Sequence, residues 1–361
     1  MKGPILIMAG GTGGHVFPAL ALARALRAGS VEVVWLGTRR GIEARLVPAE
    51  GIDIEWLSVG GLRGKGWKTR LAAPWRLAVA LWQALGVMRR RRPRVVVGLG
   101  GFVTGPGGIA AWLTRRPLLI HEQNAVAGFT NRALAPLARE VLEAFPGSFG
   151  PSVRARTIGN PVRQEIAALA SPRERLAGRG PATRVLVIGG SQGAVRLNTV
   201  VPQALALAAA SGAIEVRHQA GERWIEACRD SYAAAGVAAD VQPFIADMAE
   251  AYAWADLVIC RSGALTVAEL AAAGLAAVLV PFPAAVDDHQ TRNAELLVRQ
   301  GAAVLLPERE LTAERLAAQL ARLCAERNRL IEMAERARAL ARPDATEALA
   351  ASCLRYLGRA A

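Results

Sequence analysis

Lysine is nearly missing from this 361-residue chain. Of its 44 basic residues only Lys2, Lys65 and Lys68 are lysines; the rest are arginines. Against 30 acidic residues the formal net charge is +14. Arginine bias can follow from genome base composition, so the inference rests on the sign of the charge, which favours anionic partners: nucleic acid, phosphorylated substrates or an anionic membrane surface. The arginines are dispersed and come with no helix-turn-helix or RNA-binding signature, which argues against nucleic acid. Cysteine is scarce as well. Cys228, Cys260, Cys324 and Cys353 lie far apart with no CxxC pair, a pattern of reduced, mostly buried thiols in a cytosolic protein rather than a disulfide framework or metal site. Long apolar runs are absent too. The longest uncharged stretch, 270–286, is broken by Gly274, Pro281 and Pro283, and the first apolar run ends in glycines after five residues. The first excludes a membrane span and the second a signal peptide.

What the chain has is an alternation of short apolar runs with helical patterns, and glycine where the runs end. Strands are predicted at 5–8, 31–36, 95–97, 118–120 and 140–142, then at 185–188, 215–218, 257–260 and 277–280. Helical patterns follow Pro18 at 19–26, and occupy 200–210, 311–342 and 345–357. Strands separated by helices make right-handed βαβ units and parallel sheets. The grammar starts twice, at "MAGGTGGH" and at "VIGGSQGA", with the punctuation "IGNP" between. Length and repetition predict two domains. Their boundaries fall at 1–160 and 161–343, with a last helix at 344–361 that packs back on the first domain. Two doubly wound domains joined by a hinge bind ligands at the carboxyl ends of their strands.

A strand, a glycine loop and a helix N-terminus form an anion site of free N–H groups and a positive dipole end. Three readings of that loop compete. A phosphate-binding P-loop needs a lysine and Ser/Thr that neither loop has, and a dinucleotide site needs GxGxxG and an acid ending the second strand, where this chain reads "WLGT". A nucleotide-sugar transferase with two Rossmann-like domains is the third.

Seven stretches make the third reading specific: "GGTGGHVFPALALA", "GLGGFVTGPGG", "HEQNAVAGFTNR", "GNPVR", "GGSQGA", "CRSGALTVAELAAAG" and "DDHQTRNA". Together, in this order, they resemble the MurG family of peptidoglycan transferases, from the first turn to about Ala294. The resemblance implies an α/β GT-B fold, with two Rossmann-like doubly wound domains of parallel sheets facing across a cleft. It implies an inverting transfer of N-acetylglucosamine from UDP-N-acetylglucosamine to the C4 hydroxyl of undecaprenyl-diphosphate-linked N-acetylmuramoyl-peptide. No cofactor or metal is implied, in keeping with the lack of a DxD pair. The implied place is the cytoplasmic face of the bacterial plasma membrane, peripherally attached, with cell-wall synthesis proteins as further partners. The alternative is another GT-B enzyme, a transferase with a soluble acceptor or an epimerase.

The resemblance also assigns residues. Ala264, Leu265, Thr266, Val267, Ala268 and Glu269 hold the donor, the first three through backbone N–H groups on the diphosphate and Glu269 on the ribose. Ser191 and Arg163 lie beside the phosphates, and Ile245, after Phe244, reads the uracil edge through its backbone. Gln290 and Asn124 touch the sugar, and Thr12, Gly13 and Gly14 meet a phosphate, chiefly that of the lipid acceptor. A hydroxyl nucleophile needs a base. His15 caps the first glycine loop and has the right ordinary pKa range; Glu122 is its rival, and Asp288 a weaker one. The stretch 67–94 carries tryptophans among arginines. Trp75, Arg76, Trp82, Arg89, Arg90, Arg91 and Arg92 are read as a patch for an anionic membrane surface; a buried helix with a solvated basic end is the competing reading.

Overall fold

The computed structural model describes residues 3–58, 73–190, 193–209 and 212–358. The chain divides into two compact units, one of Met1–Pro161 with Pro343–Ala361 and the other of Val162–Arg342.

The first unit holds a seven-stranded sheet in the order β3-β2-β1-β4-β5-β6-β7, with every neighbouring pair parallel. The strands are β1 Ile5–Met8, β2 Val33–Gly37, β3 Asp53–Trp56, β4 Val95–Gly98, β5 Leu118–Glu122, β6 Glu140–Glu143 and β7 Ala155–Thr157. Helices cover both faces, so central strands are buried on both sides and read as unbroken apolar runs. All of β1 is buried. Helix α1, Gly13–Ala28, lies on one face. The other face is covered by α2 (Ala73–Arg91), α3 (Thr104–Leu113) and α4 (Phe129–Leu134), through Ala84, Val87, Met88, Ala110, Ala111 and Leu134.

The second unit repeats the plan with six parallel strands in the order β10-β9-β8-β11-β12-β13. These are β8 Thr183–Ile188, β9 Ile214–Gln219, β10 Asp240–Gln242, β11 Leu257–Cys260, β12 Ala276–Leu279 and β13 Ala303–Leu305. Helix α5 is Val195–Ala208 and α6 is Ala264–Ala273. The predicted single helix 311–342 is two helices, α7 Ala313–Cys324 and α8 Arg327–Ala339. Glu326 between them is extended, and the bend lets Leu316, Leu320 and Leu323 share one core with Leu330 and Met333. Helix α9, Ala345–Leu357, belongs to the first unit, where Leu349, Ala350 and Cys353 join the core against α1.

Helix α1 starts six residues before the sequence predicts. Thr12 is its extended N-cap, and the N–H groups of His15 and Val16 both reach the Thr12 carbonyl at 3.2 Å. Pro18 lies inside the helix rather than at its start. A proline there costs one helical hydrogen bond, in a helix whose inward face is buried along its length. The result puts His15 in the first turn.

Candidate active site

Strand order reverses between β1 and β4 in the first unit, and ligands of open α/β sheets bind at such a switch point. The loops after these two strands pack against each other here. A side chain on Gly101 would bring a Cβ within 2.3 Å of the Gly10 carbonyl, and Gly101 has a φ of +84°. His15 stands in the same place, its ring against Gly100, where a Cβ would lie 2.6 Å from His15 Nδ1. His15 Nδ1 is 2.9 Å from Gln123 Oε1, on the segment that follows β5.

Glu122 ends β5 and is only 2% exposed. Its Oε1 accepts from the Asn124 N–H (2.9 Å) and Asn124 Nδ2 (3.1 Å), and its Oε2 from the Gly128 N–H (3.1 Å) and Asn131 Nδ2 (2.8 Å). A general base needs a lone pair open to the proton it takes; this carboxylate has given its four to the loop it organises. The structure therefore corrects the expectation that Glu122 rivals His15 as the base. Asn124, expected at the sugar, spends its N–H and side-chain amide on Glu122, and its carbonyl accepts from Ser148 Oγ at 2.9 Å.

In the second unit the switch point lies between β8 and β11. Gly193, at φ +73°, packs so closely that a Cβ would come within 2.1 Å of the Ala220 carbonyl. Ser191 lies outside the described residues. After β11, Gly263 caps α6 without a side-chain bond, and Val267 is the first residue to donate into the helix, to Gly263 at 2.9 Å. Leu265 and Thr266 therefore present N–H groups that no helical carbonyl can satisfy. Ser262 Oγ is buried just before them with no hydrogen-bond partner among the described residues. Ala268 sits one turn on, beside Glu269.

Glu269 is 4% exposed. Arg163 reaches its Oε1 through Nη2 at 2.7 Å and Nε at 3.1 Å, and the Tyr252 hydroxyl donates to Oε2 at 3.2 Å. Burial raises the Glu269 pKa, and Arg163 and Tyr252 pull it back. Oε1 accepts twice from Arg163, and Oε2 keeps a second lone pair to offer. Arg163, expected beside the phosphates, is thus tied to the ribose candidate. The Ile245 N–H donates to Gln219 Oε1 at 3.0 Å, so a base edge would be read through its carbonyl. Gln290 Oε1 accepts from the Phe282 N–H at 2.9 Å. The cysteines are mostly buried, as expected: Cys228, Cys260 and Cys353 are buried and Cys324 half-buried, and burial pushes the Cys260 thiol up to about 12.

Two family models cover the chain, the glycosyltransferase family 28 N-terminal domain over residues 5–143 and the family 28 C-terminal domain over residues 184–349. The chain belongs to glycosyltransferase family 28. Its two parallel-sheet Rossmann-like units are those of the GT-B class. It is 59% identical over 350 residues to the UDP-N-acetylglucosamine–N-acetylmuramyl-(pentapeptide) pyrophosphoryl-undecaprenol N-acetylglucosamine transferase of Nitrosococcus oceani, covering 97% of this chain and 98% of that one. The protein of the same name from Alkalilimnicola ehrlichii is 59% identical over 354 residues, 98% of this chain and 99% of its own. The crystal structure of Acinetobacter baumannii MurG superposes with a TM-score of 0.85 at 41% identity, covering 98% of this chain and all of that one.

Helix α2 has an apolar, exposed outer face. Trp75 and Trp82 are 74% and 76% exposed, and Leu77 is exposed beside them. Trp75, Trp82 and Arg89 are spaced by seven, so they share one helical stripe. This rules out the reading of Trp75 and Trp82 as core residues; Trp67, in the same stretch, lies outside the described residues. Sequence reasoning missed the neighbours on α3 and α4: Ile109, Trp112, Leu113 and Phe129 are exposed as well. It also treated the arginines as equivalent. Arg90 pairs with Glu55 at 2.9 Å, and Arg91 with Glu55 at 2.7 Å and Asp53 at 3.0 Å, whereas Arg76, Arg89 and Arg92 have no acidic partner among the described residues. Among the described residues no helix is long and apolar enough to cross a membrane.

Another residue had no motif to announce it. Glu43, fully buried, accepts from the Gly11 N–H at 3.0 Å and from Thr38 N and Oγ1 at 3.0 and 2.8 Å. It ties the first glycine loop to the end of β2, near the place where a dinucleotide site would keep its ribose acid.

Proposed function

We propose that this chain transfers N-acetylglucosamine from UDP-N-acetylglucosamine to a lipid-linked N-acetylmuramoyl-pentapeptide in peptidoglycan synthesis, working from the cytoplasmic face of the plasma membrane. The observation that carries this is 59% identity over nearly the full length of relatives named for that reaction. In the proposed reaction the C4 hydroxyl of the muramoyl sugar attacks the anomeric carbon from the face opposite UDP. The new C–O bond forms as the bond to the diphosphate breaks, His15 takes the hydroxyl proton, and UDP leaves with the electron pair. Negative charge then grows on the diphosphate. The N–H groups that open α6 and the positive end of its dipole suit that charge. Thr12, Gly13 and Gly14 offer the start of α1 to a second phosphate, that of the acceptor lipid. Transfer of radiolabelled N-acetylglucosamine to the lipid acceptor in vesicles tests the reading; transfer only to a soluble acceptor would overturn it.

Donor binding is assigned to the second unit, with Glu269 on the ribose. Glu269→Gln is expected to weaken UDP affinity by about 1–3 kcal/mol, the worth of a hydrogen bond to a charged group. Calorimetry on the folded variant checks it, and an unchanged Kd would remove Glu269 from the ribose.

Attachment is assigned to α2, its tryptophans in the headgroup layer and its arginines among lipid phosphates. Arg90 and Arg91 already face carboxylates, so Arg76, Arg89 and Arg92 carry the attraction. A basic residue near an anionic leaflet contributes about 1 kcal/mol. Arg89→Ser with Arg92→Ser should therefore lower partitioning onto anionic vesicles by roughly 30-fold, and Arg90→Ser with Arg91→Ser by much less. Co-sedimentation at low and high salt reads both, since salt screens exposed charges.

A further inference from the structure

A chain of hydrogen bonds behind His15 has a direction, and it can be read from its far end. The Gly159 carbonyl can only accept, and it lies 2.9 Å from His121 Nε2, so that nitrogen carries the proton. His121 is fully buried, and burial pushes its pKa down to about 4, so it is neutral near pH 7 and its Nδ1 is bare. Gln123 Nε2 lies 3.2 Å from that Nδ1 and 3.1 Å from the His121 carbonyl. Both are acceptors, which identifies this end of the amide as the NH2 group and uses both its hydrogens. The opposite end, Oε1, then faces His15 Nδ1 at 2.9 Å and can only accept. His15 must donate from Nδ1. In the neutral ring that leaves Nε2 with a free lone pair.

We propose that Gln123 is a positioning residue that holds His15 in the Nδ1–H tautomer, so that Nε2 is the atom that receives the acceptor's proton. This rests on the reading of His15 as the base. The arrangement is braced on each side. Asn160 Nδ2 donates to the Gln123 carbonyl at 3.0 Å, Gln123 is almost wholly buried, and the His15 ring lies against Gly100, where no side chain would fit. His121 acts one step further back, by presenting a bare Nδ1 that orients the amide. A wrong tautomer can cost as much as about 10⁴ in kcat where the base depends on one.

The test is the long-range 1H–15N spectrum of the full-length protein labelled on histidine nitrogen, at neutral pH, with His15→Gln to identify the signals. Nδ1 of His15 should show the shift of a protonated ring nitrogen and Nε2 that of a bare one. Gln123→Met keeps the volume and removes the acceptor. It should mix the tautomers and lower kcat by on the order of 10- to 100-fold, with the KM for UDP-N-acetylglucosamine nearly unchanged. A protonated Nε2 in the parent overturns the proposal without recourse to any variant, and so does an unaltered His15 tautomer in Gln123→Met. If the tautomer shifts while kcat holds, His15 is not the base, and the hydrogen-bond assignment stands on its own. Transfer to the lipid acceptor by the parent protein is scored separately, so failure of the transferase reading cannot be mistaken for either.

Discussion

Alanine in place of His15 should lower kcat for N-acetylglucosamine transfer by about 100-fold or more, with the donor KM close to that of the parent. The base acts only as the hydroxyl proton is lost, so its contribution appears in the transition state and not in donor binding. Stability should change modestly. His15 is half-buried and its described side-chain bond is the one to Gln123, so its loss costs about 1–3 kcal/mol, the lower end where water replaces it on Gln123 Oε1. Initial-rate kinetics with UDP-N-acetylglucosamine varied, together with a thermal melt, check both halves. A loss of only a few-fold would take the proton transfer away from His15.

Glu122→Ala should give the opposite signature, a collapse of stability first and of activity as a consequence. Four N–H donors converge on this carboxylate from Asn124, Gly128 and Asn131. Each donor left unsatisfied in a buried site costs about 1–3 kcal/mol, and some will find water. The first unit should lose roughly 3–5 kcal/mol, which for a unit of this size lowers its melting temperature by about 10 °C. Urea or thermal unfolding measures it. A variant that melts like the parent yet fails to transfer would restore Glu122 as the base, against its hydrogen bonding.

Such a contrast could not be drawn from the sequence. "HEQN" places a histidine, a carboxylate and two amides in a row after a strand, and nothing in their order says which is free. The strand alternates sides, so His121 and Gln123 turn towards Gly159 and His15 while Glu122 turns towards Asn131. Tertiary pairing also divided the arginines of α2, because Arg90 and Arg91 reach back to Asp53 and Glu55 on β3, a strand that was not predicted.

The unpredicted strands share a feature. They are β3, β7, β10 and β13, the two edges of each sheet. An edge strand has one neighbour and is half-exposed, so it needs no apolar run, and Asp53–Trp56 and Ala155–Thr157 show none. Most interior strands, buried on both faces, announced themselves as apolar runs, whereas β6 and β9 carry charged residues among theirs. The fold class was legible for this reason, as was the double start of the chain, where a Cβ would meet the Glu43 carboxylate at Gly10 and the Ala220 carbonyl at Gly193. The family was legible as well, because seven spaced motifs carry its chemistry.

By itself, then, the sequence determined the layered α/β plan, the two glycine turns and the set of polar residues near them. Burial and close backbone approach restrict residue type at each position, and such restrictions are local enough to read. Only the tertiary structure decided what each polar side chain does. Glu122 holds a loop, Glu269 is shared with Arg163 and Tyr252, and His15 is oriented through Gln123. A hydrogen bond depends on distance and direction between residues far apart in the chain, and residue type does not record either.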